Sequence, residues 1–383
     1  MEHLELQYII QQGENSSVEF KEYGVKNDSL AKEMLAFANS QGGVIILGVT
    51  DSGIINGIPN DSSLEERIMN IARDSIIPAL EPEFQLYTIE DKTLGIITIP
   101  KGKDKPYQAA GKYYIRVDST NRIASQSELM RLFQASGIFH YDANVVEKTD
   151  ISDFNFTELD RYFSEYHIDF SKQSETNKQR LLINTDLLTE DGQATVGGLL
   201  MFGINPERYL PQSGISFASF AGSEIQSELI DKQNVTGPLP FIVDRTLAII
   251  KTSLPVPSDI KDGKRENLRV YPPMKVFREL IVNACVHRNY AIVGSKIRIL
   301  MFSDRIEFIS PGRLANTVTI EKLKVGVSYS SNPILLKFMD NLGYVERLGR
   351  GLPMVYYEIK KLGKEVIFKE LGEEFRVIVP IIF

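Results

Sequence analysis

The helix-like stretch FRELIVNACVHRN, residues 277–289, carries polar side chains at a spacing that suits nucleotide chemistry. Glu279, Asn283 and His287 are four residues apart, so a helix places them on one stripe. An asparagine oxygen can ligate Mg²⁺, and a glutamate one turn away can orient or deprotonate water. The alternative is an ordinary amphipathic helix whose polar face is simply solvated.

A second stretch, ERLGRGLPMVYYEI at residues 346–359, places two glycines just before a helical pattern. Gly349 and Gly351 flank Arg350, so bare backbone amides and a helix N-terminus can cradle phosphates there. The alternative is a turn that only leads the chain into the helix. A third stretch, EFISPGRLANTV at 307–318, predicts a strand that ends in a Pro-Gly turn. Whether that turn faces a nucleotide depends on the other two stretches.

Along the chain, the Glu-x-x-x-Asn-Ala helix comes first, the strand that ends in a glycine turn second, and the Gly-x-Gly before a helix third. This order resembles that of the GHKL ATPase superfamily, which includes gyrase-type topoisomerases and histidine kinases. Residues of about 195–383 resemble more closely the divergent GHKL-like domain of bacterial proteins described as RecG-like or as transcriptional regulators. The runs that carry the resemblance are TVGGLLMFGINPERYLP, ELIVNACVHRNY, RIEFISPGRL and SSNPILLKFMDNLGYVERLGRGL. The resemblance implies an α/β sandwich that binds ATP and Mg²⁺.

The family pattern assigns roles to individual positions. By this resemblance Glu279 is the general base of an ATPase, Asn283 is the metal ligand, and Gly349 and Gly351 contact phosphate. Ser310 stands where many GHKL proteins have an aspartate that accepts from the adenine amino group, and a hydroxyl is the weaker acceptor. The predicted nucleotide-binding set comprises Asn283, His287, Ser310, Gly312, Gly349, Arg350 and Gly351.

The first part of the chain contains the runs GENSSVEFKEY, LAFANSQGGVIILGVTDSGIINGI and GKYYIRVDSTNRIAS. Together they resemble the Schlafen AlbA-like domain over residues of about 10–135. The resemblance implies an α/β domain that binds nucleic acid, commonly DNA, and in some Schlafen proteins a metal-dependent endoribonuclease.

The carboxylates of that nuclease chemistry match Glu14, Glu19 and Asp51, with Lys21 nearby. Three convergent carboxylates can hold a divalent ion against a scissile phosphate. The alternative is that Glu19 and Lys21 pair on a strand and that Asp51 opens a turn.

A basic segment runs from Lys101 to Arg131, with seven basic and three acidic residues. Charge alone favours a solvated surface, whereas the Schlafen resemblance predicts contacts to phosphates. The predicted nucleic-acid-binding residues are Lys21, Lys101, Lys103, Lys105, Lys112, Arg116 and Arg122. Three tyrosines of the same segment are predicted to stack on bases of a single strand: Tyr107, Tyr113 and Tyr114.

Composition sets the class of protein. With 383 residues, 43% hydrophobic content and a net charge of −7, the chain predicts two soluble domains rather than a basic protein that coats nucleic acid. The acidic start and the lack of a long apolar run predict a cytoplasmic protein with no membrane partner. The single cysteine, Cys285, permits no internal disulfide, and the scattered histidines predict no structural zinc.

The predicted fold class is α/β (α+β), with a mixed-sheet domain at 1–145, a helical connection at 146–194 and a GHKL-like sandwich at 195–383. Periodicity predicts a helix at 28–41, a buried strand at 44–49 and a hairpin at 51–58.

We expect a regulator that binds DNA, or alternatively RNA, whose affinity is switched by ATP and which forms a homo-oligomer. One alternative is a metal-dependent nuclease that acts in phage defence. Another is an interaction protein whose nucleotide site has decayed, which Ser310 would explain.

Overall fold

The fold is described from a computed structural model that covers residues 3–89, 91–137, 139–254, 258–261, 264–267, 271–315, 318–326, 329–345 and 349–381. The chain divides into two compact units, residues 1–138 (unit 1) and 139–383 (unit 2). Within the described ranges, every helix is too short or too polar to cross a membrane.

Within the described residues, unit 1 contains four α-helices and six strands, which alternate as far as α3 and are then followed by four consecutive strands before α4. The helices are α1 (His3–Gln12), α2 (Asn27–Asn39), α3 (Leu64–Asn70) and α4 (Gln126–Ala135). The strands are β1 (Val18–Lys21), β2 (Gly43–Leu47), β3 (Glu83–Ile89), β4 (Lys92–Ile99), β5 (Tyr114–Val117) and β6 (Thr120–Ile123).

The main sheet of unit 1 has the strand order β1-β2-β4-β3. Its β1–β2 pair is parallel and the other two pairs are antiparallel, which confirms the predicted mixed sheet. Side chains alternate between the two faces of β2, so Ile45 and Leu47 pack with α2 and α3, whereas Ile46 packs on the opposite face with Leu6 of α1. Two separate apolar clusters therefore hold helices on both faces of this sheet.

The predicted helix and strand at 28–49 are present as α2 and β2, but the hairpin after them is reduced. Residues 51–58 contain one isolated bridge, between Val49 and Ile55, and a turn in which the N–H of Gly53 donates to the carbonyl of Thr50 over 2.8 Å. Glycine serves this turn because Gly53 has φ of +82°. The glycine and polar residues were correctly interpreted as a turn, but strands did not form around it.

Unit 2 contains nine helices and eight strands within the described residues. The helices are α5 (Phe156–Ser164), α6 (Glu175–Asn184), α7 (Val196–Phe202), α8 (Pro206–Tyr209), α9 (Leu239–Ser253), α10 (Met274–Val286), α11 (Ile320–Val325), α12 (Pro333–Asn341) and α13 (Gly351–Lys361). The strands are β7 (Ile215–Phe220), β8 (Leu229–Val235), β9 (Ser258–Lys261), β10 (Lys264–Asn267), β11 (Ile297–Met301), β12 (Arg305–Pro311), β13 (Ile367–Leu371) and β14 (Glu374–Pro380).

Six strands of unit 2 form one sheet with the order β13-β14-β12-β11-β7-β8. Only the β7–β11 pair is parallel. Alternate residues of β11 are fully buried, among them Ile299, which joins the same apolar cluster as Phe277 of α10 and Val355 of α13. The result is a layer of helices on a sheet, the sandwich predicted for this part of the chain.

The segment at 146–194 contains α5 and α6, whose buried side chains belong to the apolar cluster of unit 2. Leu159 and Phe163 of α5 and Leu182 of α6 are almost completely buried in that cluster. Asn155 caps α5, since its side-chain oxygen accepts from the N–H groups of Thr157 and Glu158. This helical segment therefore packs as part of unit 2.

Asn39, at the end of α2, is the polar side chain that fixes the basic segment to unit 1. It is buried, its amide donates to the carbonyls of Tyr107 and Tyr114 over 2.8 and 2.9 Å, and its oxygen accepts from the N–H of Tyr107 over 2.7 Å.

We predict that Asn39→Ala lowers the free energy of unfolding of unit 1 by about 2 to 3 kcal/mol, because buried backbone groups lose their partners.

The measurement is urea denaturation followed by circular dichroism. The matched control is Asn70→Ala, which removes an exposed hydrogen bond to Arg73. Equal destabilisation by both substitutions would contradict the role assigned to Asn39.

Candidate functional site

One cavity in unit 2 gathers the residues that the sequence predicted for a nucleotide site. It lies between α10, the end of β12 and the start of α13. Its lining includes seven predicted residues: Glu279, Asn283, His287, Ser310, Gly312, Gly349 and Gly351. Glu279 and Gly351, which are 72 positions apart in the sequence, are thus brought to one place. Arg350, the remaining predicted residue, is exposed and does not line the cavity.

Helix α10 supplies the polar wall of this cavity because its two faces differ. Phe277, Leu280 and Ile281 are buried against the core, whereas Glu279 and Asn283 are partly exposed and one turn apart. The side-chain N–H of Asn283 donates to Glu279 Oε1 over 2.6 Å and to the Glu279 carbonyl over 2.8 Å. This pair of bonds orients the carboxylate and leaves the Asn283 amide oxygen for another partner.

The two glycines allow the backbone before α13 to approach this carboxylate closely. A Cβ atom at Gly351 would lie only 1.7 Å from Glu279 Oε1, so any other residue at this position would displace the Glu279 carboxylate. Gly349 has φ of +65°, a conformation that favours glycine. The first turn of α13 has no side-chain cap from Arg350, and its N–H groups therefore remain suited to an anion.

The turn after β12 faces the cavity that the predicted nucleotide-binding residues line. Ser310 is buried, and its hydroxyl donates to the carbonyl of Ala284 over 3.0 Å. Gly312 has φ of +123°, and a Cβ there would lie 2.9 Å from Asn289 Cβ. Both residues line the cavity, so the turn is fixed against the C-terminal end of α10.

His287 follows the last turn of α10, and its ring is open to the cavity. Protein atoms packed around the ring disfavour its charged form and lower the pKa of this imidazole from 6.5 to about 4, although the residue as a whole is exposed. The ring is therefore neutral near pH 7 and can donate or accept a hydrogen bond.

Sequence reasoning missed the apolar wall of the cavity. Leu314, Ala315 and Val318 follow the Pro-Gly turn, and Phe375 and Val377 alternate along β14. Tyr329 and Ser331 add polar groups. The period-two pattern of β14 was visible in the sequence, but it could not show which cavity the strand would line.

The residues of the cavity are chemically compatible with Mg²⁺ bound together with a nucleotide. Asn283 and Glu279 offer oxygen atoms, which this hard cation prefers. No cluster of three or more histidine, cysteine, aspartate or glutamate side chains suited to a metal occurs in the described part of the chain. A magnesium ion here would therefore depend on phosphate oxygens and water for most of its ligands.

In unit 1, two of the predicted carboxylates, Glu19 and Asp51, lie close enough to Glu14 to affect its pKa. The Glu19 carboxylate, however, is paired with two basic side chains. Burial, together with the charges of Glu19 and Asp51, raises the pKa of Glu14, while a bond from the Phe20 N–H opposes the increase. Glu19 is buried, and its two oxygens contact Lys21 and Arg116.

Arg116 holds the chain together around Glu19, a role that the sequence did not reveal. Its guanidinium is buried, donates to the carbonyl of Asn15 over 2.7 Å and to that of Val18 over 3.0 Å, and stacks on Phe37. Lys105 is also buried and donates to the carbonyl of Ser40. In this conformation neither cation is available for a phosphate.

The other predicted nucleic-acid-binding residues are more accessible. Lys103 and Lys112 are exposed, and Lys101 is partly exposed. Arg122 is exposed but forms a bidentate pair with Glu128, with N–O distances of 2.7 and 2.8 Å. Tyr113 and Tyr114 are partly exposed, whereas Tyr107 is buried and is not available for stacking.

Glu33 of α2 is a buried carboxyl group that sequence reasoning did not identify. It lies 3.9 Å from Arg116 Nη1 and accepts from the side chain of Asn121. Burial, with the negative charge of Glu19, raises its pKa from 4.5 to about 7. Between these values the folded protein holds a proton that the unfolded chain releases, so stability falls as the pH rises through this window.

We predict that Glu33→Gln removes this part of the pH dependence because the amide has no proton to lose. Urea denaturation at pH 5 and pH 8 should show that the wild type loses more stability than the variant over this interval. Glu66→Gln, at an exposed position on α3, should behave as the wild type. If the stability of the wild type and that of the Glu33→Gln variant depend on pH to the same extent, the proposal that the pKa of Glu33 is raised is refuted.

Comparison with known proteins finds one family match within each unit. Residues 14–125 match the Schlafen AlbA_2 family. Residues 294–379 match the family described as "Putative ATP-dependent DNA helicase recG C-terminal". The two matches confirm both resemblances found in the sequence.

Among solved structures, the chain is similar to the DIP2311 protein from Corynebacterium diphtheriae, with a TM-score of 0.50 and 20% identity over 96% of this chain and 75% of that one. That similarity is one of fold. A match with a TM-score of 0.25 and 24% identity covers 32% of this chain and 88% of the N-terminal domain of a "Putative ATP-dependent DNA Helicase RecG-related Protein" from Nitrosomonas europaea. The two family matches thus place a segment similar to Schlafen AlbA_2 proteins in unit 1 and a segment similar to the RecG C-terminal family in unit 2.

Proposed function

We propose that this protein binds ATP in the cavity of unit 2 and nucleic acid on unit 1, and that bound nucleotide changes its affinity for nucleic acid. The observation that carries the proposal is the meeting of Glu279 and Asn283 of α10 with the glycine pair before α13. A carboxylate, an amide oxygen and an uncapped helix N-terminus around one cavity match the chemistry of a bound nucleotide and its metal.

Each residue has a separate task in this proposal. The N–H groups at Gly351 and the first turn of α13 bind phosphate oxygens. Glu279, oriented by its bond to Asn283, positions a water molecule and accepts its proton. When bound, Mg²⁺ would neutralise phosphate charge, and Asn283 is the residue that would hold it.

Ser310 is proposed to contact the base. Its hydroxyl hydrogen is committed to the carbonyl of Ala284, so it offers only acceptor lone pairs to the cavity. An acceptor matches the amino group of adenine and does not match the 6-oxo group of guanine. A carboxylate at this position would face the Ala284 carbonyl, which is also an acceptor, and this geometry accounts for serine in place of aspartate.

The nucleic-acid contacts are proposed for the accessible cations of unit 1: Lys101, Lys103, Lys112 and Arg122, with Tyr113 and Tyr114 for stacking. Contacts of this kind bind phosphates without regard to sequence and weaken as salt increases. DNA is the favoured target and RNA the alternative. Regulation of transcription in the cytoplasm by a homo-oligomer is the role that we propose.

A metal-dependent nuclease is the second candidate, and one observation favours it. Glu14, Glu19 and Asp51 are close enough for their charges to raise the pKa of Glu14. Lys21 and Arg116 occupy Glu19, however, so a metal ion there would have to share that carboxylate with two cations. Defence against phage is the role that would follow.

We predict that Gly351→Ala weakens ATP binding at least about tenfold, because the new methyl group overlaps Glu279 Oε1. Isothermal titration of the full chain with ATP and Mg²⁺ measures the loss. Gly294→Ala is the matched control, since a Cβ at Gly294 meets nothing within 4 Å. ATP binding that is unaffected by Gly351→Ala would remove the cavity from consideration as the nucleotide site.

Incubation of labelled DNA and RNA with the full chain and Mg²⁺ or Mn²⁺ separates the two candidates. We expect intact nucleic acid whose binding changes when ATP is added. Cleavage that is lost in Asp51→Asn but kept in Asp118→Asn would instead support the nuclease. Both aspartates are exposed, so neither substitution disturbs a core.

A further inference from the structure

Residues 139–145, the junction segment, are the first residues of unit 2 and follow unit 1 directly in the chain. Tyr141–Ala143 forms a single helical turn that packs against α7 and α12. Backbone bonds secure its end, since the N–H of Val196 donates to the carbonyl of Asn144 over 2.8 Å. The chain is therefore fixed to unit 2 from its first residues.

Asp142 provides the strongest attachment of the junction segment. Its side chain is fully buried, and Oδ2 accepts from the N–H groups of Ile334 and Leu335 over 2.7 and 3.1 Å. These are N–H groups of the first turn of α12, which Asn332, in the N-cap position, does not cap. A carboxylate at a helix N-terminus also interacts favourably with the helix dipole. Asp142 thus caps a helix almost 200 residues away.

Asn332 is not available as a cap because it connects α12 to the end of α10. Its side-chain N–H donates to the carbonyls of Val286 and Arg288, each over 2.8 Å. Those two residues flank His287, which lines the nucleotide cavity, and Val286 lines it as well. The start of α12 is therefore fixed to the polar wall of the cavity on one side and to Asp142 on the other.

His140 makes a second connection between the junction segment and the residues that precede α12. Its Nδ1 lies 3.3 Å from the carbonyl oxygen of Ser331. Ser331 lines the cavity. Two residues of the junction segment, His140 and Asp142, therefore contact the 331–335 stretch, whose first residue, Ser331, lines the cavity.

We propose that the junction segment senses nucleotide in the cavity, with His140 and Asp142 as positioning residues that couple the 331–335 stretch to the chain leading from unit 1. This inference rests on the proposed nucleotide site. A ligand that fixes Ser331 and His287 also fixes Asn332 and the first turn of α12. Because Asp142 is buried and bonded to that turn, it has to follow any displacement. The segment can thereby supply the two-state element that a nucleotide switch requires.

Hydrogen exchange of the full chain, with and without ATP and Mg²⁺, tests the inference. We expect peptides of 279–287 and of 139–145 to exchange at least about threefold more slowly when ATP is added. Slower exchange in 279–287 with no change in 139–145 would overturn the inference and leave the nucleotide site standing. No change in either peptide would overturn both.

Two variants test the named residues. In Asp142→Ala and in His140→Ala we expect ATP still to slow exchange in 279–287, but no longer in 139–145. The matched control is Asp150→Ala, which removes an exposed cap in the same unit, where Asp150 accepts from the N–H of Ser152. If ATP still slows hydrogen exchange in residues 139–145 of both variants, the roles proposed for His140 and Asp142 are overturned. If Asp142→Ala fails to fold, His140→Ala decides, because its ring is only partly buried.

Discussion

The cavity of unit 2 depends on one close approach, that of the backbone at Gly351 to the carboxylate of Glu279. The approach combines a glycine, which leaves the carboxylate in place, a helix that begins without a side-chain cap from Arg350, and a carboxylate already oriented by an asparagine one turn away. Each of these conditions is local to α10 or to the start of α13. The six-stranded sheet meets the remaining requirement, since it holds both helices on the same face and so brings the two sequences together.

Unit 1 depends on a different constraint: the buried guanidinium of Arg116 needs charged and hydrogen-bonding partners inside the protein. Arg116 is surrounded by Glu19, Glu33 and backbone carbonyls. Removing one partner of such a buried pair leaves a charge without compensation, which is costly. Glu33 keeps a raised pKa in this cluster, because burial and the negative charge of Glu19 outweigh the nearby cations Lys21, Lys32 and Arg116. These ion pairs stabilise the fold around Glu19, one of the carboxylates for which the Schlafen resemblance predicted nuclease chemistry.

Local patterns were sufficient to predict much of this protein, and contacts between distant residues were not. The four-residue spacing of Glu279 and Asn283 predicted their shared face, and the glycines before α13 predicted an open helix N-terminus. Arg116 looked like a surface cation because its partner, Glu19, is 97 positions away. Asp142 and its helix are further apart still, and nothing in the sequence around either shows the connection. Periodicity describes one element at a time, whereas such pairings depend on the path of the whole chain.

The cap that Asp142 provides places unequal constraints on evolution. It binds backbone N–H groups, which every residue except proline possesses, so the bonds themselves permit many side chains at positions 334 and 335. The aspartate has no such freedom, because only a short side chain with an acceptor oxygen can make both bonds. Related chains can therefore vary the side chains at positions 334 and 335 and keep the geometry of this contact, provided that position 142 retains a short side chain with an acceptor oxygen.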